Sequence, residues 1–224
     1  MTSISNILFD LDGTLADTAP DLARSLNLLL EENGKQQLPF ENIRPMVSRG
    51  GVFMVCSAFG TTVDDPAFPA LRERFLSLYE ANLDLETRLF PGMPEVLERL
   101  EADGHTWGIV TNKIERLTLP LIRSLQLSDR AACIVCGDTV EHSKPHPAPM
   151  LHACQLVNHP PVQTLYIGDA KNDVIAGRSA EMLTLVARYG YIGSDEEPES
   201  WGADGLIDDP LEILDWLDNR ATSD

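Results

Sequence analysis

Two aspartates stand one leucine apart where an apolar run stops. The stretch "NILFDLDGTLADTAPDL", Asn6 to Leu22, places Asp10 and Asp12 at that point, followed at once by Gly13 and Thr14. On an extended chain, residues two apart share a face. Carboxylates held that way repel unless a proton or a cation intervenes. Further along, "WGIVTNK" ends an apolar run with Thr111, Asn112 and Lys113, and "LYIGDAKND" ends one with Asp169 and Asp173. Between them, "SKPHP" supplies Lys144 just ahead of a helical pattern. Oxygen ligands of this kind, with room for water and a phosphate, suit Mg²⁺. Taken singly, Asp12-Gly13 reads as a turn, Gly168-Asp169 as the cap of a following helix, Thr111 as a capping hydroxyl and Lys144 as a solvated lysine. What sets them apart is that all four stand at the ends of apolar strands, in this order.

The elements that must position these groups are legible as short apolar runs: Ile4–Phe9, Trp107–Val110, Ala132–Val135, Leu165–Ile167, Leu183–Val186 and Leu206–Ile207. Helical patterns separate most of them, at Glu95–Ala102, Leu117–Leu125, Pro149–Leu156 and Val174–Ala180, and Leu211–Leu217 closes the chain. Apolar strands alternating with amphipathic helices predict a parallel sheet covered on both faces, an α/β Rossmann-like core. The alternation breaks after the first strand. Three stretches there read as helices: "DLARSLNLLLEENG", "FENIRPMVSRGGVFMVCSAFG" and "PALRERFLSLYEANL". Strands resume only after "LFPGMPEV", where Pro91, Gly92 and Pro94 punctuate. The expected organisation is a core of residues 1–17 plus 88–224 and a helical insert over 18–87. Open parallel sheets bind ligands outside the carboxyl ends of their strands, so an insert leaving the first strand there would lie over the site as a lid.

The chain has 224 residues, 43% of them hydrophobic and 23% charged, which is ordinary for a globular protein with a core of its own. Its net charge of -18 repels phosphate backbones, which argues against nucleic acid and anionic membranes as partners. An anionic substrate would need a local cation. "MTSISNILFD" lacks a basic leader, and no stretch reaches the roughly 20 apolar residues of a membrane helix, so a cytoplasmic home is expected. Cys133 and Cys136 have redox-motif spacing, but "AACIVCG" is an apolar run, and they read as small buried hydrophobes. His142 and His146 flank Lys144 without completing a transition-metal ligand set.

The ordered motifs "DLDGT" (Asp10–Thr14), "VTN" (Thr111), "SKP" (Lys144) and "GDAKND" (Asp169, Asp173) resemble the haloacid dehalogenase-like hydrolase superfamily over nearly the whole chain, insert included. The resemblance implies an Mg²⁺-dependent phosphomonoesterase. Asp10 would be the nucleophile that forms an aspartyl-phosphate, and Asp12 the general acid and then base. Thr111, Asn112 and Lys144 would hold the phosphate. Asp10, Asp169 and the backbone carbonyl of Asp12 would bind the metal, with Asp173 supporting it through water or orienting Lys144. The dehalogenases of the superfamily lack a second aspartate at Asp12, so its presence argues for phosphate chemistry. The position of the insert resembles the phosphoglycolate phosphatase-like branch. "LFPGMPE", "RYGYI" and "WGADGLIDDPLEI" are similar to members that dephosphorylate N-acetylmuramic acid 6-phosphate. The expected partner is therefore a small carboxylated phosphate ester, bound by a monomer or weak homodimer.

Within the insert, "SRGG" (Ser48–Gly51) reads as a substrate-reading loop. Arg49 can pair a carboxylate or phosphate in bidentate fashion, and Gly50 lets backbone approach a ligand. A helix–helix turn with an exposed arginine is the alternative. Three rival functions follow from the same residues. A sugar-phosphate mutase of the β-phosphoglucomutase kind shares the motifs and a similar lid. A receiver domain also gathers aspartates, a hydroxyl and a lysine at strand ends, but with the acidic pair ahead of the phosphoacceptor and no insert. A phosphonate hydrolase would need a lysine in the lid, where only Lys35 is available, in the polar "NGKQQ" turn.

Overall fold

The computed structural model describes residues 3–221. The strand β1 (Asn6–Phe9) is buried on both faces, which is why Ile7, Leu8 and Phe9 run apolar without alternating. Five further strands join it: β4 (Thr106–Val110), β5 (Ile134–Val135), β6 (Thr164–Gly168), β7 (Leu183–Ala187) and β8 (Gly205–Ile207). The order is β5-β4-β1-β6-β7-β8 and every pairing is parallel. The chain leaves β1 first toward β4 and β5 and later returns on the other side to β6, β7 and β8. That reversal opens a crevice at the carboxyl end of β1, between the ends of β4 and β6. Helices α5 (Met93–Ala102), α6 (Glu115–Ser124), α7 (Ala148–Val157), α8 (Lys171–Ser179) and α9 (Glu212–Ala221) connect and cover the sheet.

Between β1 and β4 lies a helical segment: α1 (Ala19–Glu32), α2 (Phe40–Ile43), a 3-10 turn over Arg44–Arg49, α3 (Gly50–Phe59) and α4 (Phe68–Ala81). Its base carries an element absent from the sequence reading. Strands β2 (Ala16–Asp17) and β3 (Arg88–Leu89) pair antiparallel, Ala16 with Leu89 and Asp17 with Arg88. Two residues per strand are too few to leave a period-2 signal. Asp21, fully buried in the first turn of α1, clamps the same base. It accepts the amides of Glu86 and Thr87 and the hydroxyl of Thr87, the last two at 2.9 and 2.8 Å.

Two readings need correction. Ser48–Gly51 is not a loop: Ser48 and Arg49 close the 3-10 turn, and α3 starts at once on Gly50, whose φ of +83° makes the bend between them. The apolar run Ala132–Val135 also yields a strand of only Ile134–Val135, with Cys133 and Cys136 on either side of it. Both are buried free thiols, and burial pushes Cys133 up to about 12. Among the described residues, no helix is long and apolar enough to cross a membrane.

Candidate active site

The sheet ladder itself delivers the first carboxylate. The amide of Asp10 continues the β1–β6 hydrogen bonding onto the carbonyl of Ile167 at 2.8 Å, so the side chain emerges where β1 ends. The amide of Thr111 likewise continues β4 onto Val135 at 2.9 Å. Asp169 follows β6 directly. Asp173 sits in the first turn of α8, where it accepts the amide of Ala170 at 3.0 Å and fixes the start of the helix. Ligand oxygens of Asp10, Asp169 and Asp173 all lie within 4.8 Å of one another.

Lys144 reaches under this group from the loop before α7. Its ammonium is 2.9 Å from Asp10 and 2.7 Å from Asp173, and it donates to the carbonyl of Val110 and the hydroxyl of Tyr166. The loop that carries it is tied to the end of β4. The Asn112 amide donates to the Lys144 carbonyl and accepts the Lys144 peptide N–H, both at 2.9 Å. Asn112 thus lines the site while its side-chain amide serves to position Lys144.

Asp12 faces a different neighbour. Lys113 Nζ lies 2.7 Å from Asp12 Oδ1, and the hydroxyl of Thr18 donates to the same oxygen at 2.6 Å. Lys113 lines the site, with its side chain 6% exposed. Asp12's carboxylate is therefore not among the oxygens gathered around Asp169. Thr111 is buried, and its hydroxyl oxygen accepts the Lys113 amide at 3.1 Å, which leaves its proton available to a ligand.

Electrostatics follow from burial. Burial pushes Asp10 up, Lys144 opposes it, and Asp173 and Asp12 push further, with a net value of about 7. Asp169 is held well above the carboxylate range by burial and by Asp10 and Asp173, against the hydrogen bonds from Tyr191 N and Ser48. Burial pulls the Lys144 ammonium down, but Asp10 and Asp173 outweigh it and hold it above the ordinary lysine value. The site is thus short of positive charge. The buried Asp169 Oδ1 has no hydrogen-bond partner among the described residues. An all-carboxylate donor set with an unsatisfied buried oxygen fits a hard divalent cation such as Mg²⁺.

The helical segment closes over these groups. Ser48 donates to Asp169 Oδ2 at 2.8 Å, a link between segment and sheet that no local pattern announced. A cavity of about 310 Å³ lies between them. Asp10, Asp12, Thr111, Asn112 and Lys113 line it from the sheet, and Arg49, Gly50, Arg72, Phe75 and Tyr79 from the helices. Arg49 is exposed, with its guanidinium stacked 3.6 Å from the centroid of the Phe53 ring. Tyr191, from the quoted "RYGYI", accepts the amides of Thr18 and Ala19 and braces the exit from β2. His146 is exposed in the Lys144 loop and accepts the Ala148 amide at 3.1 Å.

Residues 7–187 match the family described as haloacid dehalogenase-like hydrolase, and the chain belongs to that family. It groups there with phosphatases. It is 39% identical over 213 residues to an N-acetylmuramic acid 6-phosphate phosphatase of Pseudomonas putida, covering 95% of this chain and 96% of that one. It is 41% identical over 207 residues to a phosphoglycolate phosphatase of Xanthomonas campestris pv. campestris, covering 92% and 93%. A crystal structure of a predicted phosphoglycolate phosphatase from Haemophilus somnus superposes with a TM-score of 0.85 at 30% identity, covering 96% of this chain and 99% of that one. The receiver-domain alternative gives way to this membership.

Proposed function

We propose that the protein is an Mg²⁺-dependent phosphomonoesterase that works through an aspartyl-phosphate on Asp10. Its substrate is a small carboxylated phosphate ester, with 2-phosphoglycolate and N-acetylmuramic acid 6-phosphate the two candidates that the relatives' names supply. The observation that carries this reading is the meeting of Asp10, Asp169, Asp173 and Lys144 at the carboxyl end of the sheet, beneath a cavity. Residues 18–87 act as its cap.

Asp10, Asp169 and Asp173, with the backbone carbonyl of Asp12, would hold the metal, which when bound supplies positive charge against the carboxylates and phosphoryl oxygens. Lys144 and Thr111 hold and neutralise those oxygens, with Asn112 keeping Lys144 in place. An Asp10 oxygen forms a bond to phosphorus as the ester P–O bond breaks, and Asp12 gives the leaving oxygen its proton. Asp12 then takes a proton from water. That water attacks phosphorus, the bond to Asp10 breaks, and inorganic phosphate leaves. Lys113 and Thr18 hold the Asp12 carboxyl in line for both transfers.

The test is phosphate release from a panel of esters with Mg²⁺. Asp10→Asn or EDTA should each abolish turnover, and retained release in either case would sink the mechanism. A β-phosphoglucomutase-like activity would show instead as transfer between sugar positions without net phosphate.

A further inference from the structure

Helix α4 presents Arg72, Phe75, Leu76 and Tyr79 to the cavity, a spacing of i, i+3, i+4 and i+7 that puts them on one face. The ends of this stripe are polar and the middle is apolar. Tyr79 is 1% exposed, and its hydroxyl has no hydrogen-bond partner among the described residues. A buried orphan hydroxyl is costly, and here it stands beside the chemistry: Lys113, which pairs with Asp12, lies 4.6 Å from the Tyr79 ring.

Arg72 marks the other end, two turns and about 10 Å along the helix. On this same helix Arg74 pairs with Glu32, and Glu73 and Glu80 pair with Arg116. Arg72 has no such partner among the described residues, and the cavity is where it stands. Between the two ends, Phe75 is buried and packs on Gly51 of α3, where an added Cβ would come within 3.1 Å of its ring.

We propose that this stripe is the specificity ruler of the site. Tyr79 reads a polar group just beyond the ester oxygen, Phe75 and Leu76 carry the body of the leaving group, and Arg72 binds an anion at its far side. The proposal rests on the phosphomonoesterase reading. It selects one substrate class: an ester of sugar-ring size with a carboxylate on the side of the ring away from the phosphate. An ester with one carbon between its ester oxygen and its carboxylate is too short to span the about 10 Å of the stripe.

Three substrates separate the parts: N-acetylmuramic acid 6-phosphate, N-acetylglucosamine 6-phosphate (the same ring without the carboxylate) and 2-phosphoglycolate. Arg72→Ala should lower kcat/KM for the first by about 10- to 100-fold, the size of a charged hydrogen bond, and leave the other two within about 2-fold. Tyr79→Phe should lower both sugar phosphates alike by about 3- to 10-fold. Binding of N-acetylmuramic acid 6-phosphate to Asp10→Asn, with and without Arg72→Ala, repeats the comparison without turnover. Equal losses on all three esters, no loss on any, or binding indifferent to Arg72 would overturn the ruler. Turnover that survives loss of Asp10 would overturn the mechanism instead, so the two failures are distinct.

Discussion

Replacing Lys144 by methionine isolates the charge balance of the site. Methionine keeps the unbranched stem, so packing changes little. The ammonium it removes is 3% exposed and sits 2.9 Å from Asp10 and 2.7 Å from Asp173. Taking one partner from a buried ion pair costs about 3–5 kcal/mol, because the other partner is left charged and dry. Here the remaining carboxylates can escape by taking up protons, so the cost depends on pH. A carboxyl whose folded pKa lies above its unfolded value stabilises the fold below the unfolded pKa and loses that contribution as pH rises through the folded one. Asp10 is already raised to about 7 with Lys144 present, and removing the cation raises it further. The metal-free variant should therefore lie close to the wild type near pH 5 and fall about 3–5 kcal/mol below it near pH 8. Urea unfolding in EDTA at both pH values measures this. Added Mg²⁺ should raise the melting temperature of the variant more than that of the wild type. A deficit equal at both pH values, or one under about 1 kcal/mol near pH 8, would refute the idea that Lys144 balances these carboxylates.

Two further substitutions probe the scaffold. At Gly13, φ is +82° and an added Cβ would overlap the Asp169 carboxylate and press on the Tyr191 ring, so Gly13→Ala should cost about 1–3 kcal/mol in denaturant and weaken Mg²⁺ binding measured calorimetrically. Asp21→Ala leaves the amides of Glu86 and Thr87 without their acceptor. It should lower stability by about 3 kcal/mol and speed amide exchange at those two positions, while exchange in β1 changes only as far as global stability does.

The parallel sheet was legible because strands buried on both faces must be apolar throughout, and five intervening or following helices show one apolar face. The boundaries were less so. The ribbon of Ala16–Asp17 with Arg88–Leu89 has no period to read, and its pairing joins segments on either side of four helices. Ser48–Gly51 read as a loop because two glycines suggest one, yet only Gly50 needs its positive φ and Gly51 continues the helix. Of the site, Asp10, Asp12, Thr111, Lys144, Asp169 and Asp173 were visible because each stands where an apolar run ends or a helix begins. Arg72 and Tyr79 were not, because an arginine and a tyrosine on an amphipathic helix look the same whether they face solvent, core or cavity.

By itself, then, the sequence determines the α/β class, the place of the helical segment and the chain order of the groups at the strand ends. Those properties are local, written in periodicity and in the residues that stop it. Only the tertiary structure decides which group meets which: Lys113 with Asp12 across 101 positions, Ser48 with Asp169 across 121, and Tyr79 with the cavity. Contacts so distant along the chain arise from how helices seat on a sheet. A side chain's neighbours there are set by packing of whole elements, which no single segment encodes.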